Sequence, residues 1–256
     1  MLEALYAGAL EDAKQRAELI SSSRLEQEIE LVPPPLNALE AFSPRDRVHV
    51  LAEVKRASPS RGDLAEISDP AELAKLYEFG GATGISVLTE QRKFKGSLDD
   101  LRAVRAAVKV PLLRKDFIVD EYQILEARVA GADIVLLIVA GLAQKTLARL
   151  KSFTEELGMT AFIETHSSNE IYRALEIESK FVGVNARDLS TFETNRDLFG
   201  SLVELFPKDV IKVAESAVRN ADDVRHYRNA GADVVLVGEA LVTSDPVQSL
   251  SNFLEV

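Results

Sequence analysis

From Val48 onward, short and nearly unbroken apolar runs alternate with longer stretches whose apolar residues recur at helical spacing. The runs predict strands at approximately 48–54, 84–88, 110–115, 133–139, 159–164, 181–185, 210–215 and 233–238. The periodic stretches between them predict helices at 69–80, 97–108, 120–130, 142–157, 168–178, 196–205 and 220–230. Runs such as IVLLIVA and VVLVG lack polar alternation, which suits strands buried on both faces. Strands that alternate with helices in this way predict a parallel sheet covered by helices. Two helix-to-strand junctions are near copies, Gly131-Ala132-Asp133 and Gly231-Ala232-Asp233, and Gly81-Ala82-Thr83 is a looser one. A glycine that takes the left-handed conformation after a helix explains them, so they are structural and point to a repeated βα unit. An open doubly wound sheet would need a glycine-rich fingerprint after its first strand. None is present, and Gly80-Gly81 precedes a strand instead of opening a helix. The expected fold is therefore α/β, a (β/α)8 TIM barrel over residues 48–256 with an N-terminal helical extension over 1–47, the whole of 1–256 forming one domain.

The extension shows a helical stripe of Leu2, Leu5, Ala9 and Leu10 that continues toward Leu19. Pro33-Pro34-Pro35 breaks it, and a short helix around Asn37–Phe42 follows. Its early acids and lack of a long apolar core fit neither a signal peptide nor a membrane span. The expected location is the cytoplasm. With only one helical stretch expected after the last strand, no fused second enzyme is anticipated.

Charge and composition narrow the chemistry. A formal net charge of −11 argues against nucleic acid or an anionic membrane as partner, and means that an anionic substrate would need local cations. There is no cysteine, hence no disulfide and no thiolate chemistry. The histidines are His49, His166 and His226; no two have a metal-ligand spacing, so no metal site is expected.

Four of the apolar runs end in functional side chains two apart: Glu53/Lys55, Lys115/Phe117, Asn185/Arg187 and Glu215 with Ala217. In a strand such pairs share a face. A further run, MTAFI, ends in Glu164. Charges gathered at the C-terminal ends of parallel strands are where barrel enzymes hold their chemistry. Glu53 and Lys55 are either a buried ion pair plugging the barrel or groups that tune one another's protonation. The loop behind them, with Ser58, Pro59, Ser60, Arg61 and Gly62, suits an anion-contacting lid. Lys115 could be a general acid, a Schiff-base nucleophile or an anion clamp, with Phe117 a wall for an aromatic substrate. Asp116 points the other way and is structural. Glu164 suits a base or a stabiliser of cations. His166 lies on a polar loop and is set aside. Asn185 offers an amide, and Arg187 a planar fork for carboxylate or phosphate. The ends of the last two strands, Glu215-Ser216-Ala217 and Gly238-Glu239-Ala240, occupy the usual phosphate position of such barrels. Glu239 fits there only if its amide faces the phosphate and its side chain faces away.

The segments AEVKRASPSRGDL, SVLTEQRKFKGSL, LLRKDFIVDEYQILEARVAGADIVLLI, VNARDLSTF, VAESA and LVGEAL resemble the indole-3-glycerol-phosphate synthase family of tryptophan biosynthesis, in register from Val48 to near the end of the chain. The resemblance implies ring closure, decarboxylation and dehydration of 1-(2-carboxyphenylamino)-1-deoxyribulose 5-phosphate without metal or organic cofactor. It also implies roles: Lys115 as general acid, Glu164 in proton transfer and cation stabilisation, and Lys55 with Glu53 at the substrate carboxylate. Asn185, Arg187, Glu215 and Ser216 match polar contacts. Phe94, Phe117, Leu136 and Pro59 match the anthranilate pocket. Ser58, Ala217, Gly238 and Glu239 match the phosphate grip. The implied partner is a phosphorylated small molecule, bound by a monomer or weak homo-oligomer. Two departures stand out. Ala217 replaces the usual glycine of an ESG motif, where alanine resists positive φ, and Asn195 stands where the family often has aspartate.

Overall fold

The computed structural model describes residues 2–256 apart from Pro59, Ser60, Ala65, Leu189 and Ser190. Among these residues the barrel strands are β1 His49–Val54, β2 Gly84–Leu88, β3 Leu112–Lys115, β4 Ile134–Ile138, β5 Thr160–Thr165, β6 Phe181–Asn185, β7 Ile211–Glu215 and β8 Val234–Val237. Each pairs in parallel with the next in sequence, and β8 closes the ring by pairing with β1, His49 opposite Val234. All eight expected strands are present within about two residues of their expected ends. β3 begins at Leu112 because Pro111, with no N–H, cannot donate to the ladder.

The helices are α1 Leu2–Leu19, α2 Ser22–Ile29, α3 Ala38–Ala41, α4 Pro70–Phe79, α5 Leu98–Ala107, α6 Glu121–Val129, α7 Gln144–Glu156, α8 Ser168–Glu176, α9 Leu198–Leu202, α10 Ala221–Asn229, α11 Glu239–Val242 and α12 Pro246–Leu254. The starts of α4, α5, α6, α8, α10 and α12 are capped by Asp69, Ser97, Asp120, Ser167, Asn220 and Asp245, whose side chains accept from the first free N–H groups. Three elements differ from expectation. α2 was not expected, although Ser21 caps it by accepting from Arg24 N. The stretch expected at 196–205 is only α9 followed by a 3-10 turn at Val203–Leu205, since Gly200 weakens the helix and Pro207 ends it. Two helices, α11 and α12, follow β8 instead of one, divided at Asp245-Pro246.

The junction glycines Gly81, Gly131 and Gly231 have φ of 94°, 87° and 98°, the left-handed turn that their motif predicted. The aspartates that follow bind the strand starts together. Asp133 accepts from Leu112 N at 2.8 Å, Leu36 N at 2.6 Å and Arg105 at 2.9 Å. Asp233 does the same for Lys212, accepting from its N at 2.9 Å. These contacts sit on the stability face, away from the chemistry.

The N-terminal segment covers both ends of the barrel. At the bottom, Phe42 is fully buried, stacks on Phe181 at 5.4 Å and fills the space that a side chain on Gly84 would need. At the top, Tyr6 of α1 donates to Ile138 O at the end of β4 (3.3 Å) and packs edge-on against Phe117 at 5.5 Å. Arg16 holds α1 against α6 through Glu126 at 2.5 and 2.8 Å. Among the described residues, no helix is long and apolar enough to cross a membrane.

Arg114 on β3 is the largest fully buried side chain, at 1% exposure. It points outward under α6 and donates to Thr89 Oγ1 at 3.1 Å, Gln123 O at 2.6 Å and Asp116 Oδ2 at 3.0 Å. This arrangement turns Asp116 away from the barrel axis and thereby aims Lys115 and Phe117 into it. Arg114→Ala would leave Asp116 buried without its cation, so we expect it to cost about 3–5 kcal/mol. Thermal unfolding should shift down by roughly 10 °C; a shift under about 3 °C would show that the cluster is not a stabilising unit.

Candidate active site

The C-terminal ends of the strands open into a cavity of about 670 Å³, within the size range of a small-molecule site. Its floor is built from side chains at strand ends. Lys115 from β3 donates to Glu215 Oε2 from β7 at 2.8 Å and to Glu164 Oε2 from β5 at 3.2 Å. Glu53 and Lys55, at and just past the end of β1, form an ion pair at 2.7 Å. Asn185 from β6 accepts at Oδ1 from Ser216 Oγ (2.8 Å) and from Arg187 N (3.0 Å).

The alternation of strands explains this grouping. Thr165, between Glu164 and His166, turns outward and donates to Gly183 O at 2.7 Å, while Asp116 accepts from Thr89 Oγ1 at 2.6 Å on the outer side of β3. Two glycines make room for the charges. A side chain on Gly183 would begin 2.4 Å from Glu215 Oε1. One on Gly238 would begin 2.5 Å from Glu53 Oε1 and 3.1 Å from Lys55 Nζ.

Three buried groups share too little opposite charge, and their protonation shows it. Burial alone would lower the Lys115 ammonium, but Glu215, Glu164 and Glu53 outweigh it and hold it above the usual lysine range. Burial pushes Glu215 up, and the neighbouring Glu164 carboxylate pushes it further. Glu164 goes the other way: burial opposes its ionisation, but Lys115, His166 and Asn185 hold it below the usual carboxylate range. The floor at neutral pH thus combines an ammonium, a firmly ionised carboxylate and a second carboxyl that retains its proton more readily. Glu215 Oε1 has no hydrogen-bond partner among the described residues.

The walls divide by strand. Phe94 after β2, Phe117 after β3 and Leu136 with Ile138 on β4 form an apolar arc, roofed by Leu2 and Leu5 of α1. Phe94 and Phe117 stand 6.2 Å apart, and Glu90 fixes the Phe94 loop by accepting from Lys93 N at 2.7 Å and Phe94 N at 2.9 Å. The opposite arc, after β7, β8 and β1, is small and polar: Ser216, Ala217, Gly238, Glu239 and Ser58. Ser216 and Ala217 both have left-handed backbones, with φ of 68° and 57°. Tyr227 OH, donating to Ser216 O at 3.2 Å, helps hold that turn. The Glu239 side chain is drawn sideways into an ion pair with Arg61 of the β1 loop. Arg187 lines the cavity and donates to Phe192 O at 3.1 Å. Asn195 caps the next turn by accepting from Asp197 N at 3.1 Å, a role aspartate fills equally well.

Of the residues expected from the sequence, Pro59 lies outside the described residues. The others line this one cavity. The helix α1 was expected from its apolar stripe, but Leu2 and Leu5, which close the roof, were not among the expected site residues because they carry no chemical signal. The sequence reading also set aside His166, which the two-apart rule pairs with Glu164. The structure places His166 Nε2 3.4 Å from Glu164 Oε1 and Nδ1 3.2 Å from Glu170 Oε2.

A family model described as indole-3-glycerol phosphate synthase matches residues 2–253. The indole-3-glycerol phosphate synthase of Leifsonia xyli is 63% identical over 253 residues, covering 99% of this chain and 97% of that one. The one from Mycolicibacterium smegmatis is 52% identical over 255 residues, covering 99% and 93%. Among solved structures, the N-acetylmannosamine-6-phosphate 2-epimerase from Clostridium perfringens superposes with a TM-score of 0.63 at 12% identity, covering 85% of this chain and 96% of that one, which shows a shared fold.

Proposed function

The chain belongs to the indole-3-glycerol phosphate synthase family, and from that premise we propose that it converts 1-(2-carboxyphenylamino)-1-deoxyribulose 5-phosphate to indole-3-glycerol phosphate, CO2 and water. The observation that carries this reading is the position of Lys115. It is a buried, charged ammonium between Glu164 and Glu215, beneath an apolar arc and across from a small-residue rim.

The substrate spans the two arcs. Its anthranilate ring enters the slot of Phe94, Phe117 and Leu136, with Pro59 placed there by resemblance. Its phosphate meets Ser58 and the backbone N–H groups of Ala217, Gly238 and Glu239, the Glu239 carboxylate being held aside by Arg61. Lys55, steadied by Glu53, binds the ring carboxylate. Lys115 donates a proton to the ribulose carbonyl oxygen as the ring carbon bearing the carboxylate attacks, which closes the five-membered ring. CO2 departs, and its bonding pair restores the aromatic ring. The hydroxyl made from the carbonyl then leaves as water, with Lys55 or Lys115 supplying the proton. Glu164 faces the cation that this loss creates and takes the proton from the carbon beside nitrogen. Asn185, Arg187, Glu215 and Ser216 hold the sugar hydroxyls and the Glu164 carboxylate.

A Schiff-base aldolase reaction is the competing use of a barrel lysine. It needs a neutral amine, and two carboxylates within 3.2 Å keep Lys115 protonated. Mixing the purified protein with the carboxyphenylamino substrate should give indole fluorescence. A folded protein that forms no indole product, or that borohydride traps on substrate through Lys115, would refute the assignment. We place the enzyme in the cytoplasm as a monomer or weak homo-oligomer.

Ala217 tests the phosphate rim. Its backbone is already left-handed, so the N–H is in place, at a strain of about 1 kcal/mol. Ala217→Gly should therefore leave KM within about threefold and change stability by under about 1 kcal/mol, since relieved strain is offset by a freer unfolded chain. A tenfold fall in KM would mean that alanine misdirects the amide.

A further inference from the structure

Glu164 and His166 are two apart at the end of β5, and the imidazole Nε2 lies 3.4 Å from the carboxylate. The His166 ring is clamped on its far side by α8. Glu170 Oε2 stands 3.2 Å from Nδ1 and also accepts from the His166 backbone N–H at 2.9 Å. On its near side, Nε2 stands 3.4 Å from Glu164 Oε1, an ion-pair contact in which Nε2 has no aligned hydrogen-bond acceptor among the described residues. The other oxygen of Glu164 faces Lys115 at 3.2 Å. Glu164 is thus held between the Lys115 ammonium and the His166 ring, one per oxygen.

The second cation has a use because the first is shared and transient. Lys115 lies closer to Glu215, at 2.8 Å, than to Glu164. When Lys115 gives its proton to substrate it becomes a neutral amine, and Glu164 loses that counter-charge just before it must act as a base. A lone buried carboxylate takes up a proton under such conditions. His166 transfers nothing to substrate, so its charge persists through the step. We propose that His166 is a positioning residue of the reaction, an imidazolium that keeps Glu164 ionised and oriented while Lys115 is discharged; this rests on the assignment of Glu164 as the base. Burial opposes the charge on the ring, but the contacts to Glu164 and Glu170 outweigh it and push His166 up to about 10. The charged and polar groups around the pair are Glu164 from β5 and Glu170 from α8 on the ring, with Lys115, Asn185, Glu215 and the buried Tyr6 hydroxyl of α1 around Glu164.

The test compares the wild-type enzyme with His166→Gln, which retains a polar side chain but no charge. kcat should fall about tenfold and KM should stay within twofold. The acid limb of the kcat–pH profile should move up by about one unit, because a neutral neighbour no longer favours the Glu164 carboxylate. A folded variant with unchanged kcat and an unmoved acid limb would overturn the proposal, as would a loss confined to KM or to melting temperature. A second measurement does not depend on turnover or on the folding of His166→Gln. The His166 ring of the wild-type protein, followed by NMR, should remain protonated past pH 8 and titrate at least one unit lower in Glu164→Gln. Titration near the ordinary histidine value of 6.5 overturns the proposal. A wild-type protein that makes no indole but keeps its imidazolium would instead defeat the assigned reaction.

Discussion

Lys115→Met should reduce kcat by at least about a thousandfold, near 4 kcal/mol of barrier, while substrate still binds within about tenfold of the wild-type affinity. The side chain sits 15% exposed between Glu164 and Glu215 and contacts both carboxyl groups. Methionine fills a similar volume and removes only the charge and the proton, so the phosphate rim and the ring slot stay intact. Without the ammonium the two carboxyls share a proton, as like charges in one site do. Glu164 then loses much of its basicity, and the acid and base functions fail together. Because turnover is so slow, substrate binding to the variant can be followed by calorimetry with the substrate itself. Indole formation within tenfold of wild type would remove Lys115 from the role of general acid. A loss of binding matching the loss of rate would make it an anion clamp instead.

Glu164→Gln should lower indole formation by about 10²–10⁴-fold, the usual contribution of a positioned acid or base. The amide has the same shape but cannot accept the proton released in dehydration. Lys115 keeps its nearer contact with Glu215 at 2.8 Å and stays charged, so ring closure and CO2 loss should proceed further than dehydration. Rapid mixing should then show CO2 released ahead of indole, up to about one equivalent per site; equal rates for the two would place Glu164 elsewhere in the sequence. The wild-type pH profile follows from the same geometry. Glu164 is held below the usual carboxylate range, so it stays ionised, and its contribution to kcat stays intact, as pH falls from neutrality through the ordinary carboxylate values. The Lys115 ammonium, held above the usual lysine range, should not limit the alkaline side.

Much of this was legible in the chain because barrel strands obey a local rule. A residue at the end of a strand faces inward or outward according to its parity, so Glu53/Lys55, Lys115/Phe117 and Asn185/Arg187 could be aimed at the mouth without a structure. The junction glycines were equally readable, since positive φ at Gly131 and Gly231 is a local backbone demand. The same parity rule would have selected His166. It was passed over because the polar residues after it look like solvent-facing loop, whereas Glu170, one helical turn on, folds back to hold its ring. At Ala217 the family's usual glycine raised the question of positive φ, but only the structure answered it, because Tyr227 and Asn185 help to enforce that turn from other elements.

The sequence by itself determined the barrel, its strand positions and the inward set of acids, lysines and aromatic residues. Those properties follow from periodicity and residue type, which are written locally. Only the tertiary structure decided how the charges divide. Lys115, Glu164 and Glu215 come from β3, β5 and β7, and nothing in their local sequence tells which carboxyl retains its proton. Closing the ring sets that outcome, because protonation depends on distances of about 3 Å across a buried space. Those distances exist only once all eight strands have met.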